Sequence, residues 1–447
     1  MDASSMDASN CHVGIIGAGY AGLAAAVELT RAGITVSVFE SSRTLGGRAR
    51  VVTKDDYTLD NGQHILAGAY TETLKLMRTL RVPPRKLQTV PFTLNVPGRI
   101  DLRAASLPAP LHLAWGLLKC KELSWADRFA AIRLVRHLKR RRFALEADIT
   151  VSELLNQTKQ TPLLRELMWE PLCVAALNTP AEIASAQVFA NVLRDTLAAG
   201  ATASELLLPR TDLTDLLPFP ATLYLNRSGA SVYTATPIRR VQGDSGEFQL
   251  EGDAHPHIRY SHVIVATAPY HVSELLADYE GLSQLRQQID SLPYEPITTV
   301  YLAYDEAIGL PDPMVGVSGS VVQWLFDRGQ LGGPAGMIAA VISGSGPHTS
   351  LSREDIALKA HEAVEALHPR LPAPKWSQVI TEKRATFSCR PGIVRPLTIT
   401  PLPGLLLAGD YVDSPYPATI ESAVRSGQAA ARHIMRGLGV TAPAFAL

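Results

Sequence analysis

The stretch His12-Val13-Gly14-Ile15-Ile16-Gly17-Ala18-Gly19-Tyr20-Ala21-Gly22 decides the fold. Its apolar start, His12 to Ile16, reads as a strand. Three glycines at G-x-G-x-x-G spacing follow at once, and an Ala/Leu-rich run to Arg31 reads as a helix stopped by Gly33. A second β-branched run, Ile34 to Phe39, closes on Glu40. Each part has a physical task. Gly17 permits the tight turn, Gly19 lets backbone approach a pyrophosphate, and Gly22 lets the helix pack against the strand. The helix N-terminus at Tyr20 and Ala21 offers unpaired N–H groups and a positive dipole end to phosphates. Glu40 can accept hydrogen bonds from a ribose diol and would repel a 2′-phosphate, which favours FAD or NAD over NADP. A dinucleotide binds here.

The rest of the chain sets bounds on that reading. Its 447 residues allow two or three domains, and a 46% hydrophobic content excludes disorder. Forty-two basic side chains balance 42 acidic ones, which argues against a protein built to coat nucleic acid. Cys11, Cys120, Cys173 and Cys389 are too scattered for a metal site, a redox pair or a disulfide framework, so a reducing, cytoplasmic compartment is expected. The doubled MDAS at the start has no apolar core and does not read as a secretory signal. The greasiest stretch, Ala104 to Leu118, holds two prolines and a His and is no membrane span.

Downstream motifs separate FAD from NAD. Glu40-Ser41-Ser42-Arg43-Thr44-Leu45-Gly46-Gly47-Arg48 places a glycine pair and an arginine just past the ribose-binding acid. Leu405-Leu406-Leu407-Ala408-Gly409-Asp410 reads as a buried strand ending in Gly-Asp, and a small-residue helix begins near Glu421. These segments resemble the E-x(5)-GGR and C-terminal flavin motifs of the amine oxidase and carotenoid desaturase superfamily. Val232 to Ile238 is similar to the strand that meets the adenine, and His262 to Pro269 to the strand that returns to the substrate domain. The resemblance implies FAD as cofactor, bound also through Ser41, Gly46, Gly47, Arg48, Ile238, Gly409 and Asp410. It further implies that the helix N-terminus at Thr419, Ile420 and Ala423 faces the flavin. The implied fold is α/β: a Rossmann-like FAD-binding domain assembled from 1–65, 222–290 and 395–447, with a discontinuous α+β substrate domain over 66–221 and 291–394. Within the latter, 66–215 reads mainly helical. Ile297 to Tyr304, Val321 to Phe326, Met337 to Ile342 and Val379 to Phe387 read as antiparallel strands, with a helix over Ser352 to Leu367.

Asp60-Asn61-Gly62-Gln63-His64 falls where this superfamily brings chain to the flavin face, so Gly62, Gln63 and His64 are expected at the cofactor. His64 can donate a proton near neutral pH and Gln63 can hydrogen-bond a substrate oxygen; the plainer reading has Gly62 serving a turn and His64 satisfying a carbonyl. Tyr416, just before the flavin helix, is the second candidate acid. Met168 to Thr179 and Gln323 to Arg328, with Gly68-Ala69-Tyr70, resemble the squalene-associated branch, the FAD-dependent hydroxysqualene dehydroxylases of bacterial hopanoid synthesis. Trp169 and Trp324 then line a tunnel or simply pack the core.

That branch implies reductive loss of an allylic hydroxyl from a C30 isoprenoid, which apolar burial must recognise. It also implies an electron donor, since the chain carries one clear dinucleotide fingerprint. Leu107 to Leu118 reads as a tunnel lip or a buried helix. Six basic residues between Arg133 and Arg142 follow Trp125, Phe129 and Ile132, so helices within 105–147 can rest on anionic lipid or present a solvated face. Rival readings are a squalene or carotenoid desaturase, an amine oxidase using Tyr411 and Tyr416 as an aromatic wall, and a flavin-free prenyl-lipid carrier.

Overall fold

His12–Ile16 is the middle strand of a five-stranded parallel sheet, ordered Ser231–Tyr233, Thr35–Phe39, His12–Ile16, His262–Val265 and Leu405–Leu407. These runs are apolar almost throughout because both faces of a parallel sheet are covered. The computed structural model describes residues 11–244, 246–255, 257–305 and 307–441; the MDAS doublet lies outside them. Helix Tyr20–Arg31 lies on the sheet and crosses helix Ile420–Gly437. The crossing is tight: a Cβ on Gly427 would sit 2.0 Å from the Ala21 carbonyl oxygen.

A second, antiparallel sheet runs Met314–Gly316, Trp324–Asp327, Met337–Ser343, Tyr294–Ala303 and Trp376–Phe387. Strand alternation divides its side chains between two faces. Val300, Leu302, Leu325, Ile338, Ala340 and Ile342 pack under helix Arg353–Glu365 through Ile356, Ala360 and Val364. Tyr301, Trp324, Phe326 and Val341 point the other way, into the larger core.

The expectation of a mainly helical 66–215 holds, with short strands that the sequence reading did not include. Beside the helices is a three-stranded sheet in which Leu206–Pro209 lies between Leu66–Ala67 and Leu87–Val90. A hairpin, Thr93–Val96 with Ile100–Arg103, adds two more strands. Ile100–Arg103 alternates buried and exposed residues, the period-2 signature of a half-covered strand.

Trp169 is fully buried, with its indole N–H on Gln160 Oε1 at 2.8 Å, so it packs the core and lines no tunnel. The four cysteines are all buried and free. Among the described residues no helix is long and apolar enough to cross a membrane.

Candidate active site

A cavity of about 730 Å³ lies against the carboxyl ends of the parallel strands and extends along the face of the antiparallel sheet that carries Trp324, Phe326 and Val341. Ligands bind at such strand ends in open α/β sheets, where the chain turns away and leaves a crevice. The glycine turn forms one wall. Gly17 has φ +106°, and a Cβ there would lie 2.6 Å from the Ala266 carbonyl oxygen. Gly22 does not line the cavity; a Cβ on it would meet the Gly17 oxygen at 2.0 Å, so only glycine lets the helix seat this closely. Gly19 is the N-cap of Tyr20–Arg31 and supplies no side-chain cap, which leaves first-turn N–H groups at the cavity wall. A Cβ on Gly19 would have only Gly47 Cα within 4 Å, at 3.9 Å, and would occupy the cavity side of the turn.

Glu40 is buried, and its carboxylate accepts from the Ala18 N–H at 3.0 Å, the Ser42 N–H at 2.8 Å and the Ser41 hydroxyl at 3.3 Å. The Gly46 N–H reaches the Ala18 carbonyl at 3.0 Å, which joins the second glycine pair to the first turn. Arg48 then crosses to Asp410 at 2.6 Å and also donates to the Ala385 carbonyl. Burial alone would lower the Arg48 pKa; Asp410 holds it raised, so the guanidinium remains charged. Gly409, Asp410, Thr419, Ile420 and Ala423 line the same end of the chain's crevice, and helix Ile420–Gly437 starts there with a Thr419–Ser422 capping box. Ile238 closes the Glu40 side, where the Thr236 N–H reaches the Glu40 carbonyl at 2.8 Å. This donor and acceptor set fits FAD. Two helix N-termini, at Tyr20 and Ile420, open on the cavity, the first able to take a phosphate and the second able to face a flavin. The Glu40 carboxylate could accept from a ribose, and the turn is stripped of side chains a dinucleotide would strike.

Gly62, Gln63 and His64 line the cavity beside Thr299 of the antiparallel sheet, whose hydroxyl accepts the Gln63 N–H at 3.4 Å. His64 Nδ1 lies 2.7 Å from the Gly62 carbonyl, an acceptor only, so Nδ1 carries the hydrogen. Burial lowers the His64 pKa below its ordinary 6.5; the Gly62 bond opposes this and the Arg48 charge reinforces it. Proton donation, the role expected of His64, therefore needs an imidazolium that burial disfavours. Neutral His64 presents Nε2 as an acceptor, and it donates there only as imidazolium.

Tyr416 needs correction. It is absent from the cavity wall because the turn into the last helix points it outward. Its hydroxyl pairs with Asp195 and its ring lies 5.3 Å from the Arg425 guanidinium. Tyr411 is wholly buried and likewise lines no part of the cavity, so the two tyrosines do not form an aromatic wall. Trp324 does line it, with Phe326, Ile297, Val341, Ala175 and Ala176 as an apolar wall. Sequence reasoning missed Arg328, a buried cation whose Nη1 donates to Gln63 Oε1 at 3.1 Å. The available signal was an Asp-Arg pair ending an apolar strand, where an ionic pair needs a buried purpose.

Residues 20–435 match the family model of the flavin containing amine oxidoreductases. A hydroxysqualene dehydroxylase of Rhodopseudomonas palustris is 30% identical over 435 residues, covering 94% of this chain and 97% of its own. One from Sinorhizobium fredii is 29% identical over 446 residues, with 94% and 97% covered. The fold also matches a solved oxidoreductase from Methanosarcina mazei, with TM-score 0.75 at 14% identity over 95% of this chain and 100% of that one.

Proposed function

Because the chain belongs to the flavin-containing amine oxidoreductases and is an FAD-dependent oxidoreductase, we propose that it reductively removes the allylic hydroxyl of hydroxysqualene to give squalene. The observation that carries this reading is a polar pair, Gln63 and His64, on a cavity wall that also carries an apolar group, Trp324, Phe326, Ile297 and Val341, with Asn178, Ser343, Glu382 and Thr386 as further polar lining. A long hydrocarbon bearing one hydroxyl matches that pattern: apolar burial supplies affinity and the polar pair meets the oxygen. Relatives named for the same reaction support it.

In this reading 1–65, 222–290 and 395–447 hold the cofactor, and 66–221 with 291–394 hold the substrate. The turn at Gly17 and Gly19 with Tyr20 and Ala21 receives the pyrophosphate, and Gly22 seats the helix that presents it. Glu40 and Ser41 take the adenosine ribose, and Ile238 the adenine. Gly46, Gly47, Arg48, Gly62, Gly409, Asp410, Thr419, Ile420 and Ala423 surround the remainder. When bound and reduced, FAD supplies a hydride. Loss of the oxygen as water breaks the allylic C–O bond and needs one proton at that oxygen, while the new C–H bond takes the hydride. His64, as imidazolium, delivers the proton from Nε2 and Gln63 holds the oxygen. Trp324 and Phe326 keep water from the developing allylic cation. The buried, outward-turned Tyr411 and Tyr416 disfavour the amine oxidase alternative.

The assay is anaerobic incubation of dithionite-reduced holoenzyme with hydroxysqualene and chromatography of the lipid. Squalene is expected. Unchanged substrate, or a desaturated product from oxidised enzyme and squalene, contradicts the reading. Hydrogen peroxide formed with amines contradicts it as well.

A membrane-dissolved substrate also suits the helices Leu111–Lys119 and Trp125–Arg140. Each exposes an apolar stripe at i, i+4, i+7 spacing: Leu111, Trp115 and Leu118, then Trp125, Phe129 and Ile132. Arg128 ties the two together by donating to the Leu117 and Leu118 carbonyls at 3.0 and 3.2 Å. Arg136, Lys139, Arg140, Arg141 and Arg142 are exposed on or just beyond the second helix. An anionic bilayer surface is the occupant this chemistry fits. Replacing Trp115, Trp125 and Phe129 together by Ser should weaken sedimentation with phosphatidylglycerol vesicles by about tenfold or more. Wild-type protein that ignores such vesicles at low salt would rule the contact out.

A further inference from the structure

Two buried side chains behind the cavity wall, Asp60 and Arg328, are joined in series to Gln63 on the wall itself. Asp60 and Arg328 are both more than nine-tenths buried, with Arg328 Nη2 and Asp60 Oδ2 4.0 Å apart. Asp60 Oδ1 accepts the Leu213 N–H at 2.8 Å, so the carboxyl is itself anchored to backbone. Arg328 Nη1 reaches Gln63 Oε1 at 3.1 Å. A guanidinium has donors and no acceptor, so the Gln63 atom facing it must be the carbonyl oxygen. The Gln63 NH2 is then the end left for the cavity that this residue lines. Next to it stands His64, whose Nδ1–H is committed to Gly62, leaving Nε2. One donor group and one acceptor now sit on adjacent residues. A hydroxyl is the simple functional group that accepts from the first and donates to the second at once; an alkene does neither, and a ketone only accepts.

We propose that Arg328, held by Asp60, is a positioning residue that turns the Gln63 amide so that Gln63 and His64 together read the hydroxyl of an alcohol substrate. The inference rests on the alcohol-reducing reading above and deepens it: the site selects alcohol over hydrocarbon of the same length. Sites built to bond a substrate hydroxyl reject analogues that lack it strongly, because the site's own polar groups are left unpaired. Such a pair also favours release of the product, a hydrocarbon, over the substrate.

The test compares holoenzyme binding of hydroxysqualene and of squalene in detergent, read by perturbation of flavin absorbance, together with KM and kcat. Wild type should bind the alcohol more tightly. Arg328→Met frees the amide to rotate and should cut the alcohol-over-hydrocarbon preference about tenfold, mainly through KM. Arg328→Lys keeps a donor for Gln63 and a charge for Asp60, and should retain the preference to within about threefold. Gln63→Glu keeps the size and gives Arg328 a carboxylate partner but removes the donor, and should lose the preference as Arg328→Met does. Unchanged preference in Arg328→Met overturns the proposal. If that variant loses flavin or aggregates, the other two decide: Gln63→Glu with wild-type preference, or Arg328→Lys without it, overturns the proposal. A wild type that forms squalene yet does not favour the alcohol defeats this inference alone, whereas a wild type that forms none defeats the reaction assigned above.

Discussion

A Gly22→Val chain should purify without its flavin colour. The β-carbon would lie 2.0 Å from the Gly17 carbonyl oxygen and 3.2 Å from Ala266 Cβ, and the first of these is backbone with no rotamer to yield. Seating the helix would cost about 3–5 kcal/mol, the scale of the most damaging core substitutions, or else the helix lifts away and its N-terminal N–H groups leave the phosphate position. Either outcome empties the glycine turn. Gly281→Ala is the control, since nothing lies within 4 Å of a β-carbon there and its backbone conformation is ordinary. The ratio of flavin to protein absorbance after gel filtration checks both. Full retention of FAD by Gly22→Val would mean that the cofactor does not depend on this turn.

His64→Gln should lower kcat by about 10²–10⁴, the usual reach of one general acid, while KM changes much less. The ring binds substrate oxygen through Nε2 in either ionisation state but transfers a proton only as imidazolium. Burial and the Arg48 charge hold its pKa below 6.5. The sign follows from that: the imidazolium fraction shrinks as pH rises through the depressed pKa, so wild-type kcat should fall toward alkaline pH, about tenfold per unit once past it. The variant should lose this slope. Measuring kcat under anaerobic turnover from pH 5 to 8 decides the matter; a wild-type profile that rises with pH would assign His64 the opposite role, as a base.

The half of the molecule that binds the nucleotide was legible because its determinants are local. Gly17 to Gly22 and Glu40 lie within one strand–helix–strand unit, and their spacing carries the geometry. The long antiparallel strands were legible for a similar reason, since Met337–Ser343 and Trp376–Phe387 are long enough to show their character alone. Leu206–Pro209 was not, because its partners Leu66–Ala67 and Leu87–Val90 are remote and its four residues carry no period. Trp169 and Trp324 sit in equally apolar runs; a hydrogen bond to Gln160 sends one to the core, and strand alternation turns the other to the cavity. Tyr416 precedes the flavin helix in sequence, but nearness along a chain does not set the direction of a side chain across a turn. Arg328 acts on a residue 265 positions away, which only the closed fold brings together.

The claim beneath all of this is that the cavity delivers hydride to the carbon that loses its hydroxyl. Single turnover tests it most directly. Holoenzyme reduced with one equivalent of dithionite is mixed anaerobically with hydroxysqualene, and flavin absorbance and squalene are followed together. The account predicts return of the oxidised spectrum with one squalene formed per FAD. A spectrum that stays bleached with hydroxysqualene, while oxidised enzyme is bleached by squalene itself, would contradict it.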